Sequence, residues 1–227
     1  VHGAMCMSYS GKCTISNYTT GRDANKGSCA QSCRWKYTLM EEKDGEYTPV
    51  IEDIDPEFFF NTKDLCMIEY IPQIFESGIT SLKIEGRMKT YYVATTVRAY
   101  RMAIDAYYED QENWKFNPMW LEELKKGSHR DYSTGFFLNR PDENSNNYKS
   151  ASYIRNYDFI GIVKGYENET GLYIVEQRNK MNVKDDIEVI GPYKETIFTT
   201  IEEMYDEEGN PIESAPHARQ IVKLKLG

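Results

Sequence analysis

The sequence predicts an α/β fold for its first part and a small all-β barrel domain for its last part. Two observations carry that reading. Apolar residues recur at helical spacing on either side of an alternating strand between positions 65 and 107, and from Phe159 onward the pattern changes to short strands separated by turn residues. A chain of 227 residues, 40% apolar and 13% aromatic, is long enough to bury a core in one or two domains.

The elements follow in order. Leu65, Ile68, Ile71 and Phe75 predict a helix over 65–77, with Gly78 at the C-terminal cap. Ser81 to Glu85 alternates polar and apolar and ends at Gly86, as a strand does. Tyr92, Val93, Val97, Tyr100, Ile104 and Tyr107 lie along one stripe of a long amphipathic helix. Helix, strand, helix is one repeat of an α/β architecture, which assigns residues 1–112 to the first domain. Residues 113–158 read as a helical or linker segment, with Asn139 to Asn147 rich in turn formers. In 159–227 the expected strands are Phe159–Tyr166, Leu172–Gln177, Ile187–Ile190, Glu195–Ile201 and Gln220–Leu226. The chain opens and stops inside strand-like sequence, and its α/β part has room for less than half of a closed barrel of about 250 residues. It is therefore expected to be part of a longer protein.

Charge and composition narrow the function classes. No run of about 18 apolar residues occurs, so no transmembrane helix is expected. The net charge of -9 speaks against a general nucleic-acid binder, but it is unevenly spread. Residues 1–40 hold five basic side chains against Asp23 alone, whereas residues 151–227 hold nine basic and fourteen acidic ones. Within the cationic segment, Arg34, Trp35, Lys36 and Tyr37 interleave cations with aromatic faces able to stack on bases, or form a solvated loop around one buried Trp.

All five cysteines, Cys6, Cys13, Cys29, Cys33 and Cys66, lie in the first third. A secreted disulfide protein of this size more often carries more bridges and an even count, so reduced thiols in a cytoplasmic protein are expected. The intervening stretches of six, fifteen, three and thirty-two residues leave only Cys29 and Cys33 resembling a zinc knuckle. Wide, irregular spacing suits a [4Fe-4S] cluster reached from separate loops; zinc and unliganded thiols stay open at this point, and Cys66 on an apolar helix face also fits a core residue.

Glu85 and Arg87 flank Gly86 at the predicted C-terminal end of a strand, the rim where chemistry sits in α/β barrels. They pair with each other, or with Lys89 hold a small anionic co-substrate, Arg87 as a bidentate fork and Glu85 as a proton carrier. His2 reads as a proton carrier, a donor to a cluster sulfur, or a strand-end histidine satisfied by a carbonyl. His129 and His217 carry no signal.

Longer motifs add a resemblance. Gly3-Ala4-Met5-Cys6, Gly11-Lys12-Cys13-Thr14-Ile15-Ser16, Asn17 to Asp23, Gly27 to Tyr37, Asp64-Leu65-Cys66 and Ser81 to Lys89 together resemble the collagenase-like peptidase family, U-32. The Cys-Arg-Trp-Lys-Tyr element is similar to its tRNA-hydroxylating branch, which makes 5-hydroxyuridine at the wobble position. The resemblance implies a TIM-like barrel, of which this chain holds the C-terminal part, then a small β domain. It implies a [4Fe-4S] cluster on Cys6, Cys13, Cys29 and Cys66, with Cys33 a surplus thiol that belongs to the substrate site or competes as a ligand. The implied partner is tRNA, met by Arg34, Trp35, Lys36, Tyr37 and Lys89. The family's older label implies a peptidase, for which the chain offers neither a His-Glu-x-x-His helix nor a Gly-x-Ser-x-Gly elbow, only a Cys33–His2 dyad. An inactive partial chain is the remaining expectation.

Overall fold

A computed structural model describes residues 1–9, 12–38, 40–43, 45–49, 58, 60–86, 90–140, 142–192 and 195–227, which form two compact units, Val1–Arg155 and Asn156–Gly227. The first unit runs through strand β1 (His2–Ala4), helix α1 (Ile15–Thr20), the hairpin of β2 (Met40–Lys43) and β3 (Glu46–Pro49), strand β4 (Asp64–Cys66), helices α2 (Ile71–Glu76), α3 (Thr90–Glu109) and α4 (Pro118–Lys126), and strand β5 (Tyr132–Ser133). Residues 113–155, most of the segment read from the sequence as helical or linker, thus contribute a helix and a strand to this unit.

Its main sheet has the order β1-β4-β5. β1 pairs antiparallel with β4, β4 pairs parallel with β5, and Ile84 adds a parallel bridge to His2. The α/β character stands; among the described residues the strands of this sheet pair in mixed directions and do not close into a barrel. The strand expected at Ser81–Glu85 is reduced to that one bridge. Gly3 makes it possible: its φ is +110°, and a Cβ there would lie 2.1 Å from the Glu85 carbonyl oxygen.

The helix expected over 65–77 is divided. Leu65 and Cys66 belong to β4, a 3₁₀ turn spans Ile68–Tyr70, and α2 starts beside Pro72, whose missing N–H suits a first helical turn. Helix α3 forms where expected with its buried face turned: Tyr92, Thr95, Thr96, Ala99, Tyr100, Ala103 and Tyr107 are buried, whereas Val97 is exposed. Ala99 and Ala103 join Cys66, Ile68, Ile71, Trp120 and Leu124 in the core, where small side chains allow close approach of neighbouring elements. Glu123 of α4 accepts from Arg98 of α3 at 2.7 Å and from Lys126 at 2.6 Å, all three side chains being largely buried.

The second unit is an antiparallel sheet ordered β6-β7-β12-β10-β9, formed by β6 (Gly161–Glu167), β7 (Leu172–Gln177), β9 (Asp186–Val189), β10 (Ile197–Tyr205) and β12 (Ile221–Leu226). A two-stranded ribbon pairs β8 (Met181–Asn182) with β11 (Ser214–Ala215). The five expected strands are all present. The sheet carries bulges in β6 and β10 and is not closed into a barrel among the described residues. Val175, Met181, Ile201, Met204, Val222 and Leu224 fill its core. No described helix is long and apolar enough to cross a membrane.

Removing Glu123 takes a carboxylate from two largely buried cations. Glu123→Ala is expected to cost about 3–5 kcal/mol of unfolding free energy, read by urea denaturation; a loss below about 1 kcal/mol means that these ions pair as weakly as surface charges.

Candidate cysteine centre

The cysteine-bearing loops are tied down by short polar contacts. After β1 the chain passes Met5 to the exposed Cys6, and the Lys12 N–H donates to Tyr9 O at 3.0 Å just before Cys13. Helix α1 ends at Gly21, whose φ of 69° only glycine adopts readily. Asp23 caps the following turn, and Asn25 Nδ2 donates to the Cys13 carbonyl at 3.2 Å. Buried Ser16 Oγ donates to Arg22 O at 2.9 Å and accepts from Ala30 N at 3.0 Å, which draws Cys29 toward α1. The Gln31 N–H approaches Cys29 Sγ at 3.3 Å, and a 3₁₀ turn over Ser32–Arg34 presents Cys33.

Four of the five thiols share one electrostatic neighbourhood. The pKa of Cys33 is pushed up, first by burial and then by Cys6, Cys29 and Cys13, while Arg34 opposes the shift. Cys66 sits elsewhere, in the core with Ile68 and Tyr100, where burial pushes its thiol up to about 11 against hydrogen bonds from the Ile68 N–H and Tyr100. Cys33 thus lies within electrostatic range of Cys6, Cys13 and Cys29, and Cys66 is the most buried of the five thiols. Among the described residues, no three His, Cys, Asp or Glu side chains close around a single ion. Thiols on separate loops, with a backbone N–H directed at one sulfur, are of the kind that could ligate a metal centre.

The residues expected to meet RNA divide into two kinds. Arg34 is buried: Nη1 donates to Asn61 Oδ1 at 2.8 Å and Thr62 O at 2.9 Å, and Nη2 to Met5 O at 3.1 Å. It is not presented to a phosphate, because it is buried with three of its five N–H donors turned to protein oxygens. Tyr37 donates to Ser32 O at 2.8 Å and meets the Phe60 ring edge-on. Trp35 is 45% exposed and Lys36 is exposed, with its Nζ 5.6 Å from the Phe58 ring centroid. Arg87 and Lys89 lie outside the described residues. Glu85 donates its N–H to His2 O at 2.8 Å, while its half-exposed carboxylate lies 3.8 Å from Lys83 Nζ.

His2 is a core residue. Its ring lies between Tyr92, Tyr100 and Tyr132 at centroid distances of 6.0, 5.5 and 5.4 Å, with Nδ1 3.4 Å from Tyr100 Oη and Nε2 buried without a partner. Its neighbours are tyrosines, whereas those of Cys33 are Arg34 and thiols, so a Cys33–His2 dyad is not assembled. Sequence reasoning missed Asn61, Thr62 and the buried Asp64–Arg130 pair at 3.4 Å. The one available signal was a polar run, Asn61 to Asp64, leading into an apolar strand.

Exposure sets an order of thiol modification. Under brief iodoacetamide treatment of reduced, metal-free protein at pH 8, peptide mass mapping is expected to find Cys6 alkylated first and Cys66 last; early labelling of Cys66 contradicts its burial. A second expectation concerns His2, whose pKa is held down to about 3 from 6.5, by burial first and then by positive charge at the Val1 amino group and His129. The unfolded chain protonates this ring near pH 6.5 and the folded chain does not until about pH 3. The contribution is therefore complete above pH 6.5 and lost as pH falls through that interval, by at most about 1.4 kcal/mol per unit. Melting temperatures between pH 7 and 4 should fall less steeply for His2→Gln than for wild type; equal slopes refute the assignment.

Comparison with known proteins places this geometry in a family. The model of peptidase family U32 matches residues 1–147, and that of the peptidase family U32 C-terminal domain matches residues 155–227. The chain is 44% identical over 227 residues to tRNA hydroxylation protein P1 of Bacillus subtilis, covering all of this chain and 54% of that protein. It is 31% identical to tRNA hydroxylation protein P of Escherichia coli, covering 95% of this chain and 56% of that one. It is 32% identical to a collagenase of Porphyromonas gingivalis, covering 89% of this chain and 49% of that one. The chain spans about half the length of these relatives. With both of its units matched, it belongs to peptidase family U32.

Proposed function

We propose that the protein to which this chain belongs is an iron-sulfur enzyme that hydroxylates the wobble uridine of tRNA to 5-hydroxyuridine. The observation that carries the reading is that the loops of Cys6, Cys13, Cys29 and Cys33 are tied together within one cationic segment, by Asn25 to the Cys13 carbonyl, Ala30 to Ser16 and Arg34 to the Met5 carbonyl. The names of the relatives, tRNA hydroxylation proteins, supply the substrate class. In this reading Cys6, Cys13, Cys29 and Cys66 hold a [4Fe-4S] cluster, and Cys33 is the surplus thiol that belongs to the substrate site or competes as a ligand. A bound cluster supplies one-electron transfer.

The chain's own groups bind and orient the substrate. Trp35 offers a half-exposed indole face for base stacking, and Lys36 beside it offers a cation for phosphate. Glu85, with Arg87 and Lys89 as read from the sequence, is the proposed holder of a small anionic co-substrate. The second unit is assigned no phosphate contact: its Lys164, Lys223 and Lys225 each pair with a glutamate. We place the protein in the cytoplasm, where tRNA is modified and thiols stay reduced, and the first unit within a TIM-like barrel. A peptidase reading draws on the collagenase relative, but its Cys33–His2 dyad lacks support, since the two side chains have different neighbours.

Anaerobically purified full-length protein is expected to hold about four irons and four sulfides per chain. Both are lost in Cys66→Ala and kept in Cys33→Ala. Loss in the Cys33 variant alone puts Cys33 in the ligand set in place of Cys66, and metal-free wild type sinks the cluster reading. Trp35→Ala is expected to weaken tRNA binding about fivefold or more without changing iron content; unchanged binding removes the stacking role.

A further inference from the structure

Arg34 follows Cys33 directly in the chain, and Met5 directly precedes Cys6. One guanidinium therefore touches both thiol-bearing loops at their anchoring residues. Its Nη2 donates to the Met5 carbonyl at 3.1 Å, and the same oxygen accepts from Thr62 Oγ1 at 2.9 Å. Its Nη1 donates to Thr62 O at 2.9 Å and to Asn61 Oδ1 at 2.8 Å. Asn61 is itself held, donating from Nδ2 to Asn147 O at 2.9 Å and Ser150 O at 2.8 Å. Arg34, Asn61 and Thr62 are all buried. We infer that Arg34 is a positioning residue for the metal-binding thiols, a clamp that fixes the Cys6 loop against the Cys33 turn and holds both to the Asn61–Thr62 segment.

The inference rests on the cluster reading above and goes beyond it. Loops free of regular structure sample many conformations, and a multi-thiol site requires several of them to be held at once. Within the described part of the Cys6 loop, the Lys12 N–H to Tyr9 O turn closes only locally. The planar fork reaches three oxygens on two segments simultaneously, which a single ammonium on a flexible stem does not reproduce. Asn61 fixes the fork from behind, so the clamp is anchored to the body of the first unit rather than to another loop of the site.

The test uses full-length protein reconstituted anaerobically with iron and sulfide. It measures the rate of iron release to a chelator, together with the melting temperature and circular dichroism of the metal-free form. Arg34→Met is expected to release iron about tenfold faster than wild type, the size of effect seen when groups that orient metal ligands are removed. Thr62→Val, which deletes one of the two donors to the Met5 carbonyl, and Arg34→Lys should fall between the two. Leu124→Ala serves as a control: it opens a cavity in the core of the same unit and lowers the melting temperature, yet should release iron at the wild-type rate. Wild-type release from Arg34→Met, or release from Leu124→Ala as fast as from Arg34→Met, overturns the inference. Where Arg34→Met does not fold, Thr62→Val and Arg34→Lys decide, and wild-type rates in both overturn it. Wild-type protein that takes up no iron and sulfide overturns the cluster reading and the clamp together; normal uptake with unaltered release overturns the clamp alone.

Discussion

The first unit depends on one buried guanidinium. Removing a charge from water is costly unless its donors are met, and Arg34 meets that requirement with Asn61 Oδ1, Thr62 O and Met5 O. Those acceptors come from segments remote in sequence, so the bond network forms only once the loops are assembled. Breaking it exposes a charge to a low-dielectric interior, which gives the loops around the cysteines a definite geometry that their glycines and hydroxyl residues would not hold alone. The aromatic and cationic residues next to Arg34 are thereby sorted: Trp35 and Lys36 face outward because Arg34 points inward.

Close backbone approaches form the second constraint. Gly3 brings β1 against the Glu85 carbonyl, and Gly86 leaves room for the Tyr92 ring, which a Cβ would meet at 2.4 Å. Tyr92, Tyr100 and Tyr132 then surround His2, and the Tyr100 hydroxyl donates to the Val1 carbonyl and accepts from the Met67 N–H, both at 3.0 Å. This polar seam lies between sheet and helix α3, which explains a helix whose buried face carries tyrosines, threonines and alanines rather than the leucine and valine stripe typical of a core-facing helix. Cys66 belongs to that seam through Tyr100, and its environment is that of a packed thiol.

Much of this was legible in the residues. Period-two patterns and turn residues placed all five main strands of the second unit, because each is a local signal read over a few positions. The long helix α3 was equally plain, though its buried face was not: Val97 fits the apolar stripe but is exposed, since Ala99 and Ala103 allow the closer contact. The segment over 65–77 was misread as one helix because an apolar run leading into Pro72 looks alike whether its first residues pair with β1 or not. The long motifs carried the family.

What the sequence by itself determined is the family, the two-part organisation, the strands of the second unit and the presence of an all-cysteine donor set near cationic and aromatic residues. How deeply each thiol is buried was decided only by tertiary structure. Cys66 enters the core beside Ile68 and Tyr100 where β4 pairs with β1, whereas Cys6 stays exposed. The same holds for Arg34, whose neighbours in the chain suggest a solvent-facing cation. Its destination was set by oxygens 27 and 28 positions downstream and 29 upstream, a convergence that local sequence cannot express because burial of a charge is favourable only where distant partners meet it.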